Sequence, residues 1–373
     1  MYPQLEYLRE GDTMTRNSTY RLDLPENGML SAIQLRIENT KVSDSVAATM
    51  NWRVCDFIDK IEIIGNGSTI IKSITGNVLQ ALQFFDTGIA SLDYWLSYAA
   101  ATDRFNVILL FGRHLFDKVF GLDLSRWNNV EIRITNTATS TYYSSEFSVS
   151  LLCYWLREGA GFNNYLRTEE WQKWTTVSDQ TKYLELPIEN KIRRVIFQCI
   201  PPYDSDNIFN TGMSNMVDDL EVSFKTGVLR VYKGGIDDLM KMNALLFKKL
   251  VMTYPQYYMT ADYGRNIGIG YVLGGAHSFG GAAAAITNGK PALEVGNTNA
   301  TQVPKAYTGD TSFQGLHVGL CPENCVLFPF NLEDDPAEYL DVNVNATVKM
   351  NVHTRSGASY AGGTIRVILD RVA

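Results

Sequence analysis

The stretch Thr19–Ile37, TYRLDLPENGMLSAIQLRI, returns from Thr181 as TKYLELPIENKIRRVIFQCI. Each counterpart sits 162 positions later: Leu184, Leu186 and Pro187 stand for Leu22, Leu24 and Pro25, and Val195, Phe197 and Cys199 stand for Ile33, Leu35 and Ile37. Within the first copy, Leu22 and Leu24 alternate with Arg21 and Asp23, and Ile33, Leu35 and Ile37 alternate with Gln34 and Arg36. Successive side chains of a strand point to opposite faces, so this period of two marks half-buried strands. Two strands joined by the turn at Pro25–Gly28 therefore open each half of a duplicated β protein.

Working outward, the halves keep their order. Ile61 and Ile63 are echoed by Leu220 and Val222. Asn66-Gly67 is a hairpin turn, because both residues tolerate the positive φ that short hairpins need. A short helix is predicted after Thr75, with Val78, Leu79, Leu82 and Phe85 at helical spacing behind a Thr cap. Ile236, Leu239, Met240, Leu246 and Phe247 answer it in the second half. Later, Phe120 and Leu122 match Phe330 and Leu332, and Val130, Ile132 and Ile134 match Leu340, Val342 and Val344. The last strand, from Thr364 to Leu369, answers Phe147–Leu151.

The spacing between the copies widens after the second helix, which locates an insertion at about 255–315. Its Gly- and Ala-rich text has no apolar period and is expected as an exposed loop containing Tyr263, Gly270, Gly281 and Asn299. The organisation expected is an N-terminal arm (1–15), a first unit (16–158), a linker (159–179) and a second unit (180–373). Tyr165, Trp171 and Trp174 lie in the linker and are expected to pack between the units, since large aromatics bury much area at a junction. A sugar-stacking platform is their functional alternative.

Composition bounds the rest. The chain has 373 residues, enough for two cores, with 45% hydrophobic and 20% charged residues. A formal charge of −7 speaks against a strongly basic nucleic-acid surface, and no sequence-specific nucleic-acid partner is expected. Five cysteines, Cys55, Cys153, Cys199, Cys321 and Cys325, mostly lie in apolar alternation and suggest buried thiols in a reducing compartment. The first residues lack the apolar run of a signal peptide, so a cytoplasmic origin is expected.

Chemistry-bearing motifs are sparse. His114, His277, His317 and His353 form no metal-ligand spacing. Cys321, Cys325 and His317 supply three ligands where structural zinc takes four. In the Gly-rich run 268–275, Leu273 stands where a dinucleotide fingerprint needs glycine. The acidic pairs Asp218-Asp219, Asp237-Asp238 and Asp334-Asp335 could serve hydrolysis, but adjacent strand residues face opposite ways, so turns and helix starts are the better account. No catalytic residue, cofactor or metal is assigned.

About eight short strands and one inserted helix per half predict an all-β chain of two tandem eight-stranded jelly rolls. The L-x-L-P turn in both halves and the alternating terminal strand give it a resemblance, over nearly the whole chain, to the double jelly-roll major capsid proteins of the adenovirus and tectivirus lineage. That resemblance implies a structural virion protein, assembled in the host cytoplasm as homotrimers. These would form pseudo-hexameric capsomers of an icosahedral shell around double-stranded DNA. Partners implied are neighbouring trimers, penton or minor capsid proteins, and in some members an internal membrane. A glycan or amide hydrolase built on two jelly rolls, or a carbohydrate-binding protein, is the alternative from the residues alone.

Overall fold

The computed structural model describes residues 2–42, 53–91, 102–140, 143–158, 161–200, 213, 216–224, 229–247, 250–258, 272–278, 312–319, 321–342, 347–357 and 362–373. The first half carries β1 (Tyr2–Thr15), β2 (Thr19–Asp23), β3 (Met29–Thr40), α1 (Val54–Phe57), β4 (Ile58–Gly65), β5 (Thr69–Ile74), α2 (Gly76–Thr87), β6 (Thr102–Leu110), β7 (Leu122–Asp123), β8 (Val130–Asn136) and β9 (Glu146–Arg157). The second carries β10 (Leu166–Thr175), β11 (Thr181–Glu185), β12 (Ile192–Ile200), β13 (Val217–Phe224), β14 (Leu229–Gly235) and α3 (Ile236–Phe247). There follow β15 (Leu250–Tyr258), β16 (Val272–Ser278), β17 (Ser312–Gly319), β18 (Cys325–Pro329), β19 (Val348–Thr354) and β20 (Thr364–Val372).

The sheets run β1-β9-β3-β6, with β7 on β3; β18-β12-β20-β10-β5-β4-β8-β2; β11-β19-β13-β14; and β15-β17-β16. Each half is thus a sandwich of two four-stranded layers, β1-β9-β3-β6 over β5-β4-β8-β2 and β18-β12-β20-β10 over β11-β19-β13-β14. Both have the same order with corresponding strands, which is the eight-stranded jelly roll. One core holds Ile33, Leu35 and Ile37 of β3 against Ile61 and Ile63 of β4, and Ile132 and Ile134 of β8. The other holds Val195, Phe197 and Cys199 against Leu220, Val222, Val348, Met350 and Val352.

Several elements depart from the sequence reading. The opening strands do not pair with each other: β2 pairs with β8, while β3 lies in the opposite layer between β9 and β6. The Pro25–Gly28 turn carries the chain across the sandwich. Of residues 1–15, expected as an arm, Tyr2–Thr15 form the edge strand β1, paired antiparallel with β9. The expected linker contains β10, which pairs antiparallel with β20. β1 exposes most of its length and β10 buries only Leu166 and Thr168, so neither carries much apolar alternation. The counterpart of β8 is β19, and not Leu340–Val344: β8 and β19 share one burial alternation, with Val348, Met350 and Val352 inward. Leu340 and Val342 are buried outside any named strand, which is why they mimic one.

The hairpin at Asn66-Gly67 forms with both residues at positive φ (51° and 75°) between β4 and β5. Thr75 caps α2 by accepting the Val78 N–H, and Gly88 ends it in the left-handed region. Within the inserted segment the backbone forms the three-stranded sheet β15-β17-β16. Tyr263, Gly270, Gly281 and Asn299 lie outside the described residues.

Candidate functional site at the junction of the two sandwiches

The two halves share one continuous eight-stranded sheet. It is joined where β10 runs parallel to β5, with Thr168 opposite Lys72 and Glu169 opposite Ser73. Beyond the seam, the outer face of β12, β18 and β20 packs on the first half: Ile196, Leu327 and Ile368 belong to the same core as Leu79, Leu82 and Phe85 of α2. The inner face of those strands belongs to the second core. Strands covered on both sides read as unbroken apolar runs rather than alternation, which accounts for VIFQCI and CVLF in the sequence.

Into this doubly covered sheet the chain places two adjacent arginines. A register shift between Ile192 and Arg194 makes Arg193 the extra residue of a bulge, so both side chains reach Asp370 on β20. Arg194 Nε donates to Asp370 Oδ2 at 2.9 Å and Arg193 Nη1 donates to the same oxygen at 3.0 Å. Arg194 Nη2 and Arg193 Nη1 also donate to the carboxylate of Asp86 on α2, at 2.8 and 3.2 Å. Arg193 further makes two bonds of 2.7 Å to Asp334. From the first half, Lys72 Nζ donates to Thr168 Oγ1 at 2.7 Å, and Thr168 Oγ1 donates to Asp370 Oδ1 at 2.9 Å.

The cluster balances three cations, Lys72, Arg193 and Arg194, with three carboxylates, Asp86, Asp334 and Asp370. Burial would raise the Asp370 pKa, but Arg194, Arg193 and Lys72 outweigh it and hold the group down at about 2. Burial lowers the Lys72 pKa to about 8 against the pull of Asp370 and Asp86. Charges taken out of water favour one geometry strongly, because each displaced partner would leave an ion uncompensated.

A second buried pair crosses the same boundary. Arg53, just before α1, donates two bonds to Glu323, at 2.8 and 2.7 Å, and also contacts Asp56. Asn77 of α2 donates to Asp56 at 3.1 Å, and Gln198 of β12 donates to the Glu323 carbonyl at 3.1 Å. Phe85 of α2 meets Phe247 of α3 edge-on, with centroids 5.2 Å apart.

The aromatics expected to pack between the units lie against separate cores. Trp171 and Trp174 pack against the second core. A register shift between Glu170 and Gln172 makes Trp171 an extra residue of β10. Tyr165 packs against the first core, edge-on to Trp127 at 5.9 Å. Of the acidic pairs, Asp237 and Asp238 open α3, and Asp335 caps a short 3-10 turn by accepting the Ala337 N–H. Asp218 contacts Arg355, and Asp334 belongs to the charge cluster.

Among the described residues, no group of three or more His, Cys, Asp or Glu could hold a metal ion, and no helix is long and apolar enough to cross a membrane. All five cysteines are buried and none forms a disulfide. Burial pushes the Cys153 and Cys199 thiols up to about 12, which leaves them weak nucleophiles. Sequence reasoning missed Arg193, Arg194, Asp86, Asp370 and Lys72. The available signal was Arg193-Arg194 itself, two charges inside an apolar run that lacks alternation.

No family model matches the chain, and no curated protein matches it by sequence. Solved structures do match. The crystal structure of the STIV MCP is similar with a TM-score of 0.64 and 11% identity, over 100% of this chain and 97% of the other. The PBCV-1 virus capsid is similar at 0.59 and 9%, over 100% and 94%. The major capsid protein P2 from bacteriophage PM2 is similar at 0.54 and 11%, over 100% and 98%. The chain therefore has the double jelly-roll fold of viral major capsid proteins.

Proposed function

We propose that this chain is a viral major capsid protein that works by self-assembly and has no active site. Fold alone does not give function, so the reading rests on what the fold is built to do. The observation that carries it is the junction: two copies of one sandwich are fixed to each other by a shared sheet, an apolar interface and two buried charge clusters. A building block needs that rigidity. An enzyme would instead need a concave site with reactive groups converging on it.

A chain with two similar walls can meet its neighbours through similar contacts, and three chains present six walls. The unit is a closed cyclic homotrimer, a pseudo-hexameric capsomer that tiles an icosahedral shell. Neighbouring trimers, and penton or minor capsid proteins at special positions, are its partners. The virion is its location, with assembly in the host cytoplasm.

Negative-stain images of the purified chain test the proposal. Hexagonal blocks or closed shells are expected. A field of small single particles across a wide range of protein concentration and salt would overturn it.

A further inference from the structure

The helices α2 and α3 are the same element in two settings. Each has 12 residues and follows the second strand of a hairpin. Each clamps the strand corresponding to β6 in its own half. Gln83 Oε1 accepts the Ile108 N–H at 2.8 Å, and Asn243 Oδ1 accepts the Leu327 N–H at 2.8 Å. With Asn243 in the place of Gln83, Leu245 stands where Phe85 does, Leu246 where Asp86 does, and Asp237 where Asn77 does.

Their surroundings differ. Every residue of α2 from Val78 to Phe85 is buried, because β12, β18 and β20 of the second half lie over it. On α3 only Ile236, Leu239, Met240 and Asn243 are buried. Leu245 is 86% exposed and Leu246 39%, and Asp237, Asp238 and Lys241 are exposed beside them. The flank of α3 that matches the covered flank of α2 is open.

The sheets show the reciprocal difference. In the second half, Glu170, Ile368, Ile196 and Leu327 form a row across β10, β20, β12 and β18, and this face covers α2. The matching row in the first half is Tyr7, Leu152, Gln34 and Ile108 across β1, β9, β3 and β6. Tyr7 is exposed, and so is Leu5, which lies opposite Tyr154. Leu152, Gln34 and Ile108 are half-buried. Arg36 lies two residues along β3 from Gln34, where β12 has Gln198. Its Nη2 donates to Ser150 Oγ at 3.2 Å, but its Nε is buried and makes no hydrogen bond, and its contacts to Glu10 and Glu38 are long, at 4.0 and 3.8 Å.

We propose that α3 of one copy docks on the outer face of the β1-β9-β3-β6 sheet of a second copy, repeating between chains the contact that α2 makes within one. The inference rests on the self-assembly reading above and names its interface. Leu245 and Leu246 meet the apolar part of the row, Tyr7, Leu152 and Ile108. Within the chain, Asn77 of α2 is linked through Asp56, Arg53 and Glu323 to Gln198. In the repeated contact the equivalent pair is Asp237 and Arg36, opposite charges that supply complementarity. An apolar face left open among the described residues, next to a guanidinium whose buried Nε has no acceptor, suits an identical chain carrying leucines beside aspartates.

The test is the solution mass of the wild-type chain and of three variants, Leu245→Asp, Arg36→Glu, and the charge exchange Arg36→Glu with Asp237→Arg, by analytical ultracentrifugation. Leu245 and Asp237 are exposed, so folding is expected to survive, which thermal melting verifies. The wild type is expected to associate, the two single variants to associate at least tenfold more weakly, and the exchange to recover most of the loss. Wild-type trimers with single variants that associate equally well would overturn this interface and leave the capsid reading standing. A wild-type chain that stays monomeric would overturn both.

Discussion

The guanidinium of Arg53 meets the carboxylate of Glu323 through two hydrogen bonds of 2.8 and 2.7 Å, although 270 residues separate them in the chain. Both side chains are almost completely buried. Removing one partner leaves the other as an uncompensated ion in the interior, so Glu323→Ala should destabilise the fold by about 3–5 kcal/mol. Replacing Arg53 as well, Arg53→Met with Glu323→Leu, should not recover the loss, because the buried carboxylate of Asp56 is then left without its cation. Denaturant midpoints for the three chains measure this directly.

Acid should loosen the junction at Asp370. Its folded pKa of about 2 lies below the ordinary 3.8. The carboxylate therefore contributes stability that is fully present above the unfolded value and is lost as pH falls toward 2. The contribution is about 2 kcal/mol. Unfolding free energy measured from pH 5 down to pH 2 should fall accordingly. Asp370→Asn should begin lower, because Arg193 and Arg194 lose the negative charge they share, and should lack this part of the slope.

Lys72 should give a slope of the same sign in an alkaline window. Its folded pKa of about 8 is below the ordinary 10.5. Between those values the unfolded chain binds the extra proton, so this group makes stability rise with pH across that window. Lys72→Met should abolish the rise, and at neutral pH it should not lower stability by as much as Asp370→Asn does. Melting temperatures from pH 7.5 to 10.5 report both outcomes.

Asn243 holds β18 by accepting the Leu327 N–H at 2.8 Å and donating to the Leu327 carbonyl at 2.7 Å. Alanine there leaves buried backbone groups unsatisfied, with a cost of about 1–3 kcal/mol for each. The loss should appear as faster hydrogen exchange in β18, because α3 would no longer clamp that strand.

Gly65 lies under the Trp127 ring, and a Cβ there would come within 2.2 Å of it. Gly65→Ala should force the indole off the β4–β5 hairpin and cost about 1–3 kcal/mol. Gly67, at the turn itself, faces open space, so Gly67→Ala should show only the strain of its positive φ. The change in Trp fluorescence on Gly65→Ala, absent in Gly67→Ala, separates the two.

The duplication and the jelly-roll class were legible because β2, β3, β11 and β12 carry their apolar residues at matching positions in both copies. The strands β1 and β10 were not legible. Only Met14 is buried in β1, so its text looks like a polar arm, and β10 passes for a linker because its buried residues are confined to Leu166 and Thr168. The late repeat was displaced onto Leu340 and Val342 because those residues are buried without being in a named strand. The junction was hidden for a different reason. Its charges come from β5, α2, β12 and β20, far apart in the chain, and only the bulge at Arg193 turns two consecutive side chains toward one carboxylate.

A self-assembling block has a mass in solution that is a multiple of its chain's. Light scattering coupled to size-exclusion chromatography tests it most directly. A species of three times 41.8 kDa, persisting on dilution, is expected. A single monodisperse species of 41.8 kDa at all concentrations would contradict it.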